Sequence, residues 1–394
     1  MNALKTGVSA VNFSIFFVLC ILFSNAAIIQ ADIINSENSA YLLFGHQNNA
    51  YHTSAKKSDN KIELGVYSTL NYKDTNTNAT ANIFFSREEF DKTADFTRFS
   101  INPQIEYNLK DLILNGAFLY EKNYEDYEYG ISNDRDKLNK AGLTFSAGSF
   151  YRPKWYGQFT YNFNKSDYED ILFTDRKTHN YSLLSEYNFF GKTYFYLKTG
   201  MALINYEKSN TLQDNKEYFL TSGLRGVLSD KVEGYADFTI KRKNYKSLTD
   251  ITKALVNFEI TSPLTKQLKL KLGFNFDVCE NYTGEYSAGV LADNRYYELS
   301  VYKSNLNYQF DKDGNIDFTA KFTRKNYVDI LGANKPVDKL TDLILDYNRV
   351  IKISDYNFQS TVGARYYSKD ITPVSALYSD YDGVEFYAKT LIKF

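Results

Sequence analysis

Few residues of this chain have the types and spacing that catalysis requires. It contains three histidines, His46, His52 and His179, in 394 residues. The best-placed pair for nucleophilic chemistry is His179 with Ser182, because a serine hydroxyl becomes reactive beside a base. No G-x-S-x-G element surrounds that serine, and no metal-ligand spacing is present. We therefore expect no catalytic residue, no metal and no cofactor. Enzymatic activity is the function class that the sequence favours least.

Charged residues at alternate positions offer a second kind of chemistry, which is the sorting of ions. The segment 268–278 is the clearest, since leucine, phenylalanine and valine alternate there with Lys269, Lys271 and Asp277. Successive side chains of a strand point to opposite faces, so this segment has one apolar and one polar face. The pattern recurs at 99–106, 155–163, 232–241 and 316–323. Interruptions near Lys303 and Pro103 predict β-bulges.

Composition limits the function classes that remain. The chain has 35 Tyr and 30 Phe but one Trp, and 46 basic residues stand against 47 acidic ones. That balance excludes an electrostatic argument for a nucleic-acid partner or a polybasic membrane surface. Abundant aromatic residues in alternation with polar ones are typical of a closed sheet that has lipid on one side and water on the other.

The N-terminal residues 1–31 predict a secretory signal peptide. Lys5 supplies a positive start, 11–22 form an apolar run, and Ala26 and Ala31 mark two cleavage points. An uncleaved anchor is the alternative. No other segment approaches the ~20 apolar residues that a membrane-spanning helix needs. Cys279 is the only cysteine outside the signal, so no intrachain disulfide is expected.

The connections between the alternating segments are long and short in turn. The stretches 280–294 and 369–382 are long, whereas 151–154 and 311–315 are short. This sorting is typical of outer-membrane barrels, and a soluble β-sandwich gives no reason for it. Because hydrocarbon cannot hydrogen-bond the backbone, strands that cross it must close into a barrel.

The predicted fold is therefore all-β, a transmembrane antiparallel up-and-down β-barrel of the bacterial outer membrane. Seventeen strands follow from about Ile62 onward, and one more at 40–46 restores an even number. We expect about 18 strands, with 16 as the alternative, over residues 40–394. Residues 32–39 would be a short periplasmic segment, and both termini would lie in the periplasm. Barrels of ~16–18 strands leave a water-filled channel.

The last segment, 383–394, has an apolar face and ends on an aromatic residue. It resembles the last strand of bacterial outer-membrane β-barrels, and this resemblance implies recognition by the barrel-assembly machinery through Phe386, Ile392 and Phe394. The edge strand of a soluble sandwich is the alternative.

Tyrosines recur where strands reach the long connections. We interpret them as an interfacial girdle at the outer rim, where a ring sits at headgroup level and its hydroxyl stays wet. A ring of tyrosines that stacks on sugar at a pore mouth is the alternative. These residues are Tyr124, Tyr168, Tyr206, Tyr245, Tyr282, Tyr327 and Tyr367.

Ion selectivity would come from the polar face of the strands, which should line the lumen. The basic candidates are Lys198, Lys241, Lys269, Lys271, Lys321, Arg365, Lys389 and Lys393, and the acidic ones are Glu106, Glu233, Asp237, Asp277, Asp317 and Glu385. The basic excess predicts a weak anion preference. The alternative is a neutral lumen in which these charges pair. The stretches 123–137, 280–294 and 369–382 are the candidates to constrict it.

The architecture, the length and a hairpin repeat of about forty residues resemble the β-barrel porin 2 group over 62–394. That group includes outer-membrane barrels encoded with exopolysaccharide biosynthesis systems. The resemblance implies an outer-membrane barrel of a Gram-negative bacterium that is linked to polysaccharide secretion or to plain diffusion. With the basic excess in the lumen, we expect a porin-like channel for diffusion or export of acidic saccharides or small solutes. Its partners would be outer-membrane lipid, lipopolysaccharide, a saccharide substrate and polysaccharide-secretion proteins. A surface adhesin or structural barrel without transport is the alternative.

Overall fold

The computed structural model describes residues 34–48, 58–90, 96–125, 136–168, 175–207, 214–229, 231–245, 250–280, 296–328, 337–353, 356–372 and 380–393. These residues form eighteen strands: β1 (Ile34–Gln47), β2 (Asp59–Lys73), β3 (Thr77–Phe90), β4 (Phe96–Leu109), β5 (Leu112–Glu125), β6 (Asp136–Arg152), β7 (Trp155–Tyr168), β8 (Arg176–Phe190), β9 (Thr193–Tyr206), β10 (Asn215–Ser229), β11 (Val232–Tyr245), β12 (Ile251–Pro263), β13 (Leu268–Glu280), β14 (Tyr296–Gln309), β15 (Gly314–Val328), β16 (Val337–Ile353), β17 (Tyr356–Thr372) and β18 (Tyr381–Lys393). Within these ranges, no helix has the length and apolar character to cross a membrane.

The eighteen strands form one closed antiparallel barrel. Each strand pairs with its neighbours in the chain, and β1 pairs with β18 from Ser39 opposite Lys393 to Gln47 opposite Glu385. The expected 18 strands are confirmed, and the alternative of 16 is wrong. The first strand starts at Ile34 rather than near Ala40, because its early residues pair with the turn end of β2, where Ile34 lies opposite Tyr72.

The connections sort by length between the two ends of the barrel. Those at one end span two to four residues, and those at the other end span five to fifteen. We call these ends the turn rim and the loop rim. β1 begins and β18 ends at the turn rim, since Ser39 and Lys393 are opposite each other there. The three long stretches named above as candidates to constrict the lumen fall mainly outside the described residues.

The barrel wall reverses the usual distribution of polarity. Large apolar side chains on its outward face are exposed, for example Val362 at 60% and Phe386 at 59%. On the enclosed face, Glu63, Glu88 and Glu385 are buried to 8% exposure or less. A soluble domain hides its apolar groups from water, so this wall requires hydrocarbon around it.

The strand irregularities differ from the expected bulges. Register shifts lie between Phe150 and Arg152, Asn188 and Phe190, and Val227 and Ser229, all at the turn rim. The bulge expected near Lys303 is wrong, because β14 keeps one register with β13 and with β15. At Pro103 the register with β5 is also unchanged. Only the pairs of Asn102 and Pro103 are missing, since proline has no N–H to donate.

Tyrosine side chains brace the inner wall where a glycine leaves room. Tyr387 of β18 lies across Gly363 of β17, and its hydroxyl donates to Asp346 of β16. Tyr196 of β9 crosses Gly223 of β10 in the same way, and its hydroxyl donates to Asp237 of β11 at 2.9 Å. Each brace ties three consecutive strands through a bond to a carboxylate.

We expect Gly363→Ala to destabilise the barrel by about 1–3 kcal/mol. A Cβ at Gly363 would collide with the Tyr387 ring and the Asp346 carboxylate, so both must move and the brace is lost. The matched control is Gly273→Ala on the same inner wall, whose Cβ would meet nothing nearer than 3.6 Å. The temperature at which the folded band disappears on a detergent gel measures the effect. Equal midpoints for the two variants would refute the brace.

Candidate functional site

The lumen is the candidate site, and the strand register identifies its lining. Residues opposite each other in a ladder share a face, so the face of one strand carries over to the next. By this rule all the charged candidates named from the sequence lie on one face: Lys198, Lys241, Lys269, Lys271, Lys321, Arg365, Lys389, Lys393, Glu106, Glu233, Asp237, Asp277, Asp317 and Glu385. One cavity on this face joins Arg98 of β4 to Lys321 of β15, which have six strands between them. Only the enclosed side of a barrel can do that.

Lys61, Arg98, Glu63, Glu88 and Glu385 form a loop-end cluster in the lumen. The Lys61 Nζ lies 2.7 Å from Glu385 Oε1 and 3.6 Å from Glu88 Oε1. Arg98 lies 3.3 Å from Glu88 and 3.7 Å from Glu63. Two cations are thus shared among three carboxylates, so this part of the lumen is slightly acidic. It forms one wall of a cavity of about 320 Å³.

Two ion pairs lie on the other wall of that cavity or beside it. The Arg365 guanidinium donates to both oxygens of Asp342 at 2.7 and 2.9 Å. Nearer the loop rim, Lys369 lies 3.4 Å from Asp338, and both side chains are fully buried. The Tyr327 hydroxyl also donates to Asp338 at 3.0 Å. The lumen is therefore densely packed with paired charges close to the loop rim.

The remaining basic candidates divide into two lysines that pair with a carboxylate and five that have no such partner in the described ranges. Lys241 pairs with Asp277 at 2.7 Å and Lys271 with Glu259 at 2.9 Å. No carboxylate within the described ranges pairs with the other five, which are Lys198, Lys269, Lys321, Lys389 and Lys393. Lys321 stands opposite Asp342, whose carboxylate is bound by Arg365. The Lys389 ammonium lies 4.1 Å from the centroid of the Tyr41 ring.

Several acidic candidates are held by neutral groups instead. Asp317 accepts hydrogen bonds from Asn307 at 2.7 Å, Asn315 at 2.5 Å and Asn348 at 3.1 Å. Glu106 accepts from Asn78 and Asn108. Asparagine side chains thus hold these carboxylates against the wall, whereas the five lysines have no carboxylate partner in the described ranges.

A second recess of about 810 Å³ lies along β7 to β11, towards the turn rim. Its lining includes Gln158, Ser182, Lys198 and Asp237. Arg225 pairs there with Glu186 at 2.5 Å. The lining of the recess combines polar and apolar surface and carries charges of both signs.

The tyrosines near the loop rim do not form the girdle suggested above. Tyr168, Tyr206, Tyr245, Tyr327 and Tyr367 lie on the inward face, and the last three are buried. Their inward orientation follows from the strand register. Tyr367, for example, lies opposite the lumen residue Asp342. The side chain of Tyr124 and the whole of Tyr282 lie outside the described residues.

The histidines are not brought to a serine. His179 faces outward, where its Nδ1 lies 2.9 Å from the Tyr161 hydroxyl and its ring lies beside Phe163. Ser182 faces the lumen, three residues further along the same strand. His46 contacts Asn60 on the outward face, and His52 lies outside the described residues. The pair considered for nucleophilic chemistry is therefore separated by the barrel wall.

The predicted recognition signal for the barrel-assembly machinery consists of three residues of the last segment. Phe386 and Ile392 lie on the outward face, as the alternation predicted, and Phe394 lies outside the described residues. The proposed signal peptide also lies outside them and stays a prediction.

Most of the loop-end cluster was not predicted from the sequence. Its residues Lys61, Glu63, Glu88 and Arg98 were not among the candidates, and neither was Asp342 on the opposite wall of the cavity. The signal was present, because Ile62, Leu64 and Val66 alternate with Lys61 and Glu63. Assigning faces to the less regular strands would have found them.

No protein-family model matches this chain, and no curated protein matches it. Solved structures do. OpdQ of Pseudomonas aeruginosa has 11% identity and a TM-score of 0.53, over 91% of this chain and 99% of that one. The outer membrane protein OpdK of Pseudomonas aeruginosa has 9% identity and a TM-score of 0.53, over 91% and 99%. OccAB3 of Acinetobacter baumannii has 11% identity and a TM-score of 0.50, over 92% and 99%. At these identities the likeness shows a shared fold, and the β-barrel porin 2 resemblance stays a prediction.

We expect Lys61→Met to cost about 1–3 kcal/mol of folding free energy, because Glu385 and Glu88 would lose a shared cation. Adding Glu385→Gln to Lys61→Met should recover part of that loss, as contacting residues do not act additively. Urea unfolding in liposomes measures Lys61→Met, Glu385→Gln and the double variant. The control is Arg87→Gln, which breaks the exposed outward pair with Glu89 and should cost less than about 1 kcal/mol. Additive single effects would show that the cluster is not coupled.

Proposed function

We propose that this chain is an outer-membrane channel through which small polar solutes diffuse. The loop rim would face outward, and the turn rim, with both chain ends, would face the periplasm. The observation that carries the proposal is the closed wall, apolar outside and polar inside, with recesses of about 810 and 320 Å³ in its lumen. The fold shared with the outer membrane protein OpdK supports this location.

We further propose a weak preference for anions, including acidic saccharides. Its support is the contrast between the five lysines that have no carboxylate partner in the described ranges and the carboxylates that asparagines hold against the wall. The loop-end cluster opposes this preference, since it carries one more acid than base, so the effect should be small. OpdK has been crystallised with vanillate, which is a small carboxylate.

The expected partners follow from the same placement. The outward face would contact outer-membrane lipid and lipopolysaccharide, and β18 would engage the barrel-assembly machinery through Phe386, Ile392 and Phe394. Export of saccharides would add polysaccharide-secretion proteins. No catalytic activity is proposed.

A structural or adhesive barrel without transport is the second candidate. The observation that favours it is the packing near the loop rim, where Lys369, Asp338 and Tyr327 have 0–1% exposure. A lumen that is closed at that level would not conduct.

Planar lipid bilayers test the channel directly. The purified protein should produce discrete conductance steps, and a salt gradient should give a reversal potential of the sign expected for anions. The variant Lys321→Gln with Lys389→Gln should shift that potential towards zero, because it removes from the wall two cations that no carboxylate of the described ranges pairs with. The control is Lys321→Arg, which keeps the charge and should keep the potential. A cation-selective wild-type pore would refute the assigned preference.

Liposome swelling separates the two candidate functions. A channel should admit small neutral and acidic sugars, with faster entry for the acidic ones. A folded, inserted protein that gives neither swelling nor conductance would favour the structural barrel.

A further inference from the structure

The outward face near the loop rim carries basic side chains that are neutralised locally. Arg87 pairs with Glu89 at 2.9 Å, Lys165 with Asp167 at 2.6 Å, and Arg242 with Asp250 at 2.9 Å. Lys177 pairs with Glu207. These residues stand above the apolar band, at the level where lipid headgroups would lie. At four places on this rim, therefore, the protein supplies its own counter-charge.

Other basic side chains on this face form no ion pair within the described ranges, namely Lys122, Lys216, Arg324 and Lys339. Arg324 and Lys339 differ from the two single lysines because they are directly opposite each other on β15 and β16, and both are exposed. The Arg324 Nε donates to the neutral Asn326 at 2.8 Å. On its other side Lys339 lies opposite the exposed Asp370 of β17, but neither Lys339 nor Arg324 forms an ion pair with a carboxylate in the part of the chain that the structure describes. Like charges directly opposite in a sheet are destabilising, so this arrangement favours an anion between them.

The surface towards the membrane centre from this pair is apolar. Phe322 precedes Arg324 by two residues on the same face and is 48% exposed. Tyr302, opposite Phe322 on β14, is 53% exposed. We call Arg324, Lys339, Phe322 and Tyr302 the Arg324–Lys339 patch. It places two cations next to an exposed aromatic surface. The patch is therefore complementary to a lipid that has an anionic headgroup and an apolar chain.

We propose that the phosphorylated headgroup of a membrane lipid binds between Arg324 and Lys339, with an acyl chain along Phe322 and Tyr302. A phosphate group offsets both cations, and the planar arginine fork matches its oxygens. The acyl chain covers apolar surface that water would otherwise meet. The inference rests on the membrane placement proposed above and does not depend on whether the lumen conducts.

The test uses the full-length protein in liposomes of neutral phosphatidylcholine, with and without diphosphorylated lipid A. The unfolding midpoint of the wild-type protein should rise by about 2 °C or more with lipid A, since a ligand of the folded state stabilises it. Dephosphorylated lipid A should give no such rise. The variant Arg324→Gln with Lys339→Gln should lose the rise. In phosphatidylcholine alone it should unfold at the wild-type temperature or above, because the repulsion is gone.

Two control variants sharpen the result. Lys339→Arg keeps the charge and should keep the rise. Arg349→Gln removes an exposed arginine at the turn rim, where Arg349 lies 3.7 Å from Asp311, and should also keep it.

Three outcomes would overturn the proposal. An equal rise in the wild type and the double variant would show that lipid A acts elsewhere. An equal rise with inorganic phosphate in phosphatidylcholine would identify a soluble anion rather than a lipid as the ligand. Failure of the wild-type protein to insert into any liposome would remove the membrane placement and this inference with it, whereas normal insertion without a lipid-dependent difference would remove this inference alone.

Discussion

Every feature of this protein depends on pairing the backbone where water is absent. A peptide group left without a partner in hydrocarbon costs several kcal/mol, so a sheet that crosses it cannot have a free edge. The pairing of β1 with β18 removes the two edges that the other seventeen pairings would leave. Closure then divides the side chains into those that face lipid and those that share an enclosed aqueous space. The outward apolar band and the charged lumen both result from that one event.

The number of strands, their order and most faces could be predicted because the contrast between lipid and water is strong and has a period of two. Leu270 and Lys271, for example, can exchange faces only if the whole strand slips. The assignment of residues to faces was less accurate near the strand ends. Both faces of the barrel wall contact water there, so a tyrosine side chain can lie on either face. Tyr327 and Tyr367 therefore point inward against acids, although the same residues would suit a lipid interface equally well.

The charge pairing in the lumen could not be predicted in the same way. The alternation along a strand assigns each side chain to a face of the sheet, but it does not determine which charged partner that side chain contacts. Lys61 reaches Glu385 by crossing β1 at Gly45, where a Cβ would lie only 2.9 Å from the lysine Cε. Such contacts span two strands and depend on the absence of a side chain between them. Lysines thus have different surroundings: within the described ranges Lys321 pairs with no carboxylate, and Asp342, which lies opposite it, is held by Arg365.

The neighbour-to-neighbour strand order has a consequence for how such barrels can change size. Every strand except the first and last contacts only the strands beside it in the chain. The two strands of a hairpin such as β11 and β12 are joined to each other at the loop rim and to their neighbours at the turn rim, so the hairpin adds to the circumference as one unit. Duplicating it would yield a twenty-strand barrel whose first and last strands still meet in antiparallel register, whereas duplicating a single strand would bring them together in parallel. As long as the closing pair stays antiparallel, the width of this barrel can therefore change only in steps of two strands, and this condition alone gives an even number.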